Sequence, residues 1–349
     1  MTDESRTADP VAHPIPPDAQ MNLIMTHFWM TQAISVITRL GVPEALADGP
    51  KPVTQIAAEV GAHAPTLNRL LRGLTEREVF VVKDGGYALT PLGQTLRRGT
   101  PGSLASAAVM MGSDWQVALR GGLYDSVRTG ESPWAKVDEA GLFGYLDAHP
   151  DDAEVFNEAM IEISASSTAA AAARYDFGRF TTLVDVGGGQ GYLLAAVLAA
   201  HPTLRGVLFD QAEVIAGATA QLERHGVAER CELVAGSFFE TVPGDADGYI
   251  VSNILHDWDD DSTLTVLRNI AAAMRPDATL LISEWVLPDD TEPDPVGRVV
   301  DVQMFICTEG GRERTRGEFS DLLGQAGLRL TRVLRDQPVL PTILEIVRQ

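Results

Sequence analysis

The stretch that most constrains this chain is "LVDVGGGQGYLLAAVLAAHP", residues 183–202, followed three residues later by "GVLFDQ". An apolar run of strand type meets a glycine loop, then a run of helix type, then a second strand closed by Asp210. Glycines at that place let backbone pass close to a ligand with no Cβ atoms in the way. A carboxylate about 20 residues on, at the end of the next strand, can accept both hydroxyls of a ribose. The combination points to a nucleoside cofactor. The dinucleotide fingerprint is not met, because counting from Gly187 and Gly189 puts Tyr192 where the third glycine belongs.

After Phe180 the rhythm is strand, helix, strand. The candidate strands are "TLVDV", "GVLFD", "CELVA", "GYIVSNIL", "TLLISEWV", "LRLTRVL" and "TILEIVRQ". Seven strands alternating with helices predict an α/β fold with a Rossmann-like, doubly wound parallel sheet. The loop "RDQPVLP" is too short for a crossover helix, so the last strand should run antiparallel.

The half before it reads as mostly helical. It opens with "MNLIMTHFWMTQAISVITRL", whose aromatic and Met side chains are too many for a solvated helix. Then "VTQIAAEVGAHAPTLNRLLRGLTEREVFVVKDGGYALTPLG" reads as helix, turn at Gly61, helix and a hairpin around "KDGG", a winged-helix pattern. The runs "SDWQVALRGGLYDSV" and "AHPDDAEVFNEAMIEISASSTAAAAARY" add helices. Residues 1–20 are polar and Pro-rich, and are expected to be a disordered leader.

Composition narrows the partners. Forty-eight acids against 27 bases give a net charge of −21, which repels nucleic acid and anionic membrane surfaces. Cys231 and Cys307 in 349 residues suggest free, buried thiols and a cytoplasmic setting. No stretch reaches 18 uninterrupted apolar residues.

The second informative stretch is "SNILHDWDDD", residues 252–261. Its aspartates suit the N-terminus of the helix that "DDDSTLTVLRNIAAAM" predicts. His256 and Trp258 are not explained that way, and they lie where open α/β sheets place ligand sites.

With "DVGGGQG", "ILHDW", "EWVLP" and "GGRERT" in order, the chain after residue 20 resembles the class I S-adenosylmethionine-dependent small-molecule O-methyltransferases. The likeness is to the plant caffeate and isoflavone type and its actinobacterial natural-product branch, which methylates quinone or polyketide hydroxyls such as those of mitomycin. The resemblance implies a helical and winged-helix-like dimerisation domain over 21–110, a helical segment over 111–178 that contributes to the acceptor pocket, and a cofactor-binding catalytic domain over 179–349. It implies S-adenosylmethionine as cofactor, S-adenosylhomocysteine as product, no metal, a homodimer, and a small aromatic or quinone acceptor. For the cofactor it implies Asp185, Gly187 and Gly189 near the methionyl part, Asp210 and Gln211 at the ribose, and Ser237, Phe238 and Ser252 around the adenine. Ser237 and Ser252 depart from the plant pattern, which has an acid and a lysine there. His256 is implied as general base, assisted by Glu313 and Glu284, with Phe156, Met160, Trp258, Met304 and Phe305 lining the acceptor pocket.

Those residue types suit the chemistry. In-line methyl transfer needs an oxygen held close and aligned, where positioning can supply roughly 7 to 11 kcal/mol. A phenol of pKa about 10 is mostly protonated at neutral pH, so a histidine of pKa about 6.5 is a useful base, and a carboxylate on its other nitrogen fixes the tautomer. Asp257 reads as structural, Glu284 could instead pair with Arg298 or Arg312, and the acids around Asp289 read as a solvated loop. Two other functions compete. A winged-helix ligand-sensing regulator would need a basic recognition helix, but Arg69, Arg72 and Arg77 are offset by Glu76 and Glu78. An NAD-dependent oxidoreductase would need the missing glycine spacing.

Overall fold

The computed structural model describes residues 15–288, 292–294, 296–335, 337 and 340–349. Residues 1–14 and Asp289 lie outside the described residues. The chain forms two compact units, the first ending at Ser113 and the second running from Asp114 to Gln349.

The first unit opens with the helix Pro17–Arg39. It therefore starts inside the stretch expected to be leader. Proline at the first helical position has a preset φ and lacks only an N–H that would have no partner there. Helices Val53–Glu59 and Ala64–Thr75 follow, the second burying Leu67, Leu71 and Leu74 at helical spacing. The antiparallel hairpin Phe80–Lys83 and Gly86–Leu89 turns through Asp84 and Gly85, both at positive φ (52° and 78°), as a type I′ turn requires. The expected winged-helix order is thus present. Ile37, Ile56 and Phe80 close its core, whereas Ile24, Met25, Phe28 and Trp29 of the long helix are exposed.

The second unit is built on the predicted seven strands, β1 (Thr182–Val186), β2 (Arg205–Asp210), β3 (Cys231–Ala235), β4 (Gly248–Ser252), β5 (Thr279–Glu284), β6 (Leu328–Leu334) and β7 (Thr342–Arg348). They lie in the order β3-β2-β1-β4-β5-β7-β6. β1 to β5 are parallel, and β7 runs antiparallel to both of its neighbours, as the short loop before it demands. Apolar clusters cover both faces, one around Tyr249, Val251, Leu267 and Ile282, the other around Leu183, Leu194, Ile250 and Leu281. This accounts for strands that read as continuous apolar runs.

Strand order reverses between β1 and β4, and a crevice opens at such a point beyond the strands' carboxyl ends. The glycine loop leaves β1 there, and the His256 segment leaves β4. β4 stops at Ser252, three residues short of the expected strand. Asn253 takes a left-handed φ of 52°, which asparagine tolerates, and Leu255–Asp257 form a single 3-10 turn. Asp259 then caps the helix Asp260–Ala273 by accepting from the Ser262 amide at 2.8 Å, so the aspartates have the structural use expected of them.

Candidate functional site

On the loop side, Gly187, Gly189 and Gly191 all have positive φ, of 70°, 60° and 77°. The space around them differs. A Cβ on Gly187 would meet Ile254 Cδ1 at 2.8 Å, whereas one on Gly189 would meet nothing within 4 Å. Gly187 is needed for packing and Gly189 leaves an open cradle. Asp210 holds the loop, accepting from the Gly189 amide at 2.8 Å and the Gln211 amide at 2.7 Å. Beneath it Asp185 is 1% exposed and its Oδ2 has no hydrogen-bond partner. Burial, reinforced by the nearby Asp210 charge, pushes its carboxyl up to about 7. A cradle over an unpartnered buried carboxylate fits a ligand rich in donors, such as the methionyl and ribose groups of an adenosyl cofactor.

Phe238 lies edge-on to Phe239 and Trp258, at centroid distances of 4.8 and 6.2 Å. Ser237 is engaged locally, its Oγ accepting from the Phe239 amide at 3.3 Å. Ser252 ends β4. Gln211 is exposed.

On the other side of the crevice, His256 is surrounded by carboxylates. Its Nδ1 lies 2.7 Å from Glu313 Oε1 and 3.5 Å from Glu284 Oε2, and its Nε2 is 3.8 Å from Asp257 Oδ1. Glu313 is therefore the direct partner of the ring. Glu284, fully buried at the end of β5, anchors the turn from its amide side, its Oε1 accepting from Ile254 N at 3.0 Å and Leu255 N at 2.9 Å. Arg312 pairs with Glu318 and Arg298 donates to the Glu292 carbonyl, while Glu284 bonds the histidine turn. Asp257, expected to be structural, faces the outer ring nitrogen.

Burial raises the carboxyls of Glu284 and Glu313, against the lowering effect of His256. It also raises that of Asp257, to about 6. For His256 burial alone would lower the pKa, but Glu284, Asp257 and Glu313 together outweigh it and raise the ring to about 10. The ring is a far stronger base than an ordinary histidine. The ligating atoms of His256, Glu284 and Glu313 also lie within 4.8 Å of one another, a spacing that would suit a cation. In the structure Nδ1 and Glu313 Oε1 are occupied by each other.

Trp258 forms an aromatic wall beside the histidine, edge-on to Phe239 at 4.7 Å and stacked on Phe143 at 6.0 Å with 17° between planes. Phe156 and Met160 are half-buried on the helix Pro150–Arg174. Met304 is buried and Phe305 half-buried on the helix Gly297–Cys307. No ring contact joins Phe156 or Phe305 to Trp258 among the described residues. Sequence reasoning missed Phe143, whose only signal is the apolar "GLFGYL" run.

Comparisons with known proteins identify the family. Residues 121–329 match the O-methyltransferase domain and residues 22–99 the O-methyltransferase dimerisation domain. A phenazine O-methyltransferase of Lysobacter antibioticus is 40% identical over 96% of this chain and 96% of its own. The mitomycin biosynthesis 6-O-methyltransferase of Streptomyces lavendulae is 39% identical over 90% of each. The solved structure of a mitomycin 7-O-methyltransferase superposes with a TM-score of 0.87 at 38% identity, covering 95% of this chain and 98% of that one. Neither a transcriptional regulator nor a nicotinamide oxidoreductase fits these matches, and the chain belongs to the O-methyltransferase family, a methyltransferase with a dimerisation domain ahead of its catalytic domain.

Proposed function

We propose that the chain transfers the methyl group of S-adenosylmethionine to a phenolic or quinone-type hydroxyl of a flat aromatic molecule, with His256 as the base. The observation that carries this reading is the 2.7 Å contact between His256 Nδ1 and Glu313, which engages one ring nitrogen and leaves Nε2, 3.8 Å from Asp257 Oδ1, as the nitrogen for the acceptor. When bound, S-adenosylmethionine supplies an electrophilic methyl group on a sulfonium. The chain's residues do the rest. Gly189 lets backbone approach the cofactor, and Asp185 and Asp210 accept from its donors. Trp258 and Phe143 hold a planar ring, which aligns its oxygen. Phe156, Met160, Met304 and Phe305 are assigned to the remaining wall, and Gln211, Ser237, Phe238 and Ser252 to the nucleoside end, on the strength of family likeness.

Glu313 accepts a hydrogen bond from Nδ1–H, so the acceptor's hydroxyl proton comes to rest on Nε2 before transfer, and the O–CH3 bond then forms from the phenolate as the S–CH3 bond breaks. The ring titrates at about 10. That matches a phenol of about 10, so proton transfer from phenol to ring is nearly balanced, and in the productive complex a phenolate faces an imidazolium. The relatives that act on phenazine and mitomycin support the acceptor class. The dimerisation domain and the exposed Ile24, Met25, Phe28 and Trp29 support a homodimer through the first unit. The free thiols of Cys231 and Cys307 support a reducing, cytoplasmic setting.

The test is to incubate the purified chain with S-adenosylmethionine and a panel of hydroxyphenazines, hydroxyquinones and phenols, following S-adenosylhomocysteine release and product mass. Methylation at oxygen that falls by roughly 10²-fold or more in His256→Ala supports the reading. Methylation at nitrogen, or a full rate in His256→Ala on a weakly acidic phenol, sinks it.

A further inference from the structure

Glu313 is not the only residue of its segment on the histidine turn. Arg314, next in the chain, is 1% exposed, and each of its three guanidinium nitrogens has an acceptor. Nη1 donates to the Leu255 carbonyl at 2.9 Å, Nη2 to the Trp258 carbonyl at 2.8 Å, and Nε to Asp260 Oδ1 at 2.9 Å. The two carbonyls bracket His256. Gly311 packs on the same turn, since a Cβ there would lie 2.3 Å from the His256 carbonyl oxygen. The turn is thus held by its amides from Glu284 and by its carbonyls from Arg314, while Glu313 holds the ring.

From this geometry we propose that Arg314, oriented by Asp260, is a positioning residue that fixes the backbone of the Leu255–Trp258 turn and so aims the His256 ring at Glu313 on one side and the acceptor on the other. The proposal rests on the reading of His256 as base. Burying a guanidinium is costly unless its donors are used, and here Nη1 meets Leu255, Nη2 meets Trp258, and both Nε and Nη2 lie against Asp260 Oδ1. The arrangement needs arginine. A lysine keeps the charge but has a single nitrogen, which cannot span Leu255, Trp258 and Asp260 at once. A residue that merely stabilised the fold would change the melting temperature and leave the ring's proton affinity alone. A residue that aims the ring must change that affinity, because the 2.7 Å bond to Glu313 depends on the ring's direction.

The experiment uses the full chain with isotope-labelled histidine and S-adenosylhomocysteine bound, and reads the His256 ring titration by NMR, assigned with His256→Ala. In Arg314→Lys the ring pKa is expected to fall by about one unit or more, a tenfold loss of proton affinity. The affinity for S-adenosylhomocysteine should stay within about twofold. Asp260 is half-exposed, so Asp260→Asn should fold even where Arg314→Lys does not, and should shift the titration the same way by less. Combining the two substitutions should add little, because both act through one clamp. An unchanged ring titration in Arg314→Lys overturns the proposal, and an unchanged titration in Asp260→Asn does so where Arg314→Lys fails to fold. A full methylation rate in His256→Ala overturns the base reading instead, and that outcome is read without reference to Arg314.

Discussion

Ile254 fills the space that a side chain at Gly187 would need, its Cδ1 lying 2.8 Å from where that Cβ would stand. The cofactor loop after β1 and the base turn after β4 are therefore in direct contact. Gly187→Ala combines this clash with a left-handed φ of 70°, a strain of about 1–2 kcal/mol on its own. It should lower the melting temperature and weaken S-adenosylhomocysteine roughly tenfold or more. Gly189→Ala carries a similar φ strain at 60° but meets only open space in the chain, so it should cost less stability than Gly187→Ala and its larger effect should be on binding. Calorimetry and thermal melts of the two variants check this, and equal losses of binding and stability in both would contradict the assignment of an open cradle to Gly189.

The sheet was legible because each strand is a short apolar run, and the antiparallel end followed from one short loop. The base turn was legible only in part. His256 stood out, but Asn253 looked like one more strand residue until its left-handed φ ended β4. The partners of His256 come from segments 28 and 57 residues further along the chain, at Glu284 and Glu313, and spacing alone could not say which touches the ring. Nor could it show that three carboxylates converge on one imidazole, which changes the histidine's chemistry. Arg314 was hidden because a buried arginine reads in sequence like any surface one.

The long helix of the first unit leaves Met25 and Trp29 exposed at 65% and 64%, a large apolar surface for one helix. If it is covered by a second copy, placing a charge at its centre should separate the copies. Met25→Glu with Trp29→Glu is expected to convert a dimer to a 37.5 kDa monomer in light scattering. A wild-type monomer at micromolar concentration, or a dimer untouched by the double substitution, would place the interface elsewhere.

Asp185 should make the protein less stable as the pH rises. Its carboxyl goes from an ordinary 3.8 to about 7 in the folded state. The folded protein therefore binds more protons in that window, and stability falls as pH rises from about 4 through 7. Asp185→Asn removes this titration, so the gap in melting temperature between variant and parent should grow in the variant's favour across the same window. Its affinity for S-adenosylhomocysteine should fall, because a charged acceptor under the loop is lost. A pH-independent gap would mean that Asp185 is ionised throughout.

Glu284 and Glu313 should be separable. Glu284 raises the His256 pKa through its charge alone, and it spends one oxygen on the Ile254 and Leu255 amides. Glu313 holds Nδ1 directly. Glu284→Gln and Glu313→Gln should both lower the ring's titration, while Glu313→Gln should also lose the ring's orientation and hence more rate on a phenol. NMR titration beside turnover checks both, and identical effects would show that only the summed charge matters.

The last expectation concerns the pH profile, where the raised ring pKa makes a prediction that an ordinary histidine would not. The productive pair is a phenolate with an imidazolium, so kcat/KM depends on an ionised acceptor and a protonated His256. The ring keeps its proton up to about 10. For an acidic hydroxyquinone, ionised well below neutrality, kcat/KM should be flat from the acceptor's own pKa up to that limit and fall beyond it. For a phenol of pKa about 10, kcat/KM should instead climb about tenfold per pH unit through neutrality and peak near the alkaline end, because the ionised fraction rises with pH. His256→Ala should abolish the alkaline fall for the first acceptor, and should cost the phenol more than it costs the hydroxyquinone. Profiles of both acceptors, with and without the histidine, decide the matter. A break near 6.5 in the parent enzyme for both would mean that the carboxylates around His256 are protonated in the working state and that the ring acts as an ordinary histidine after all.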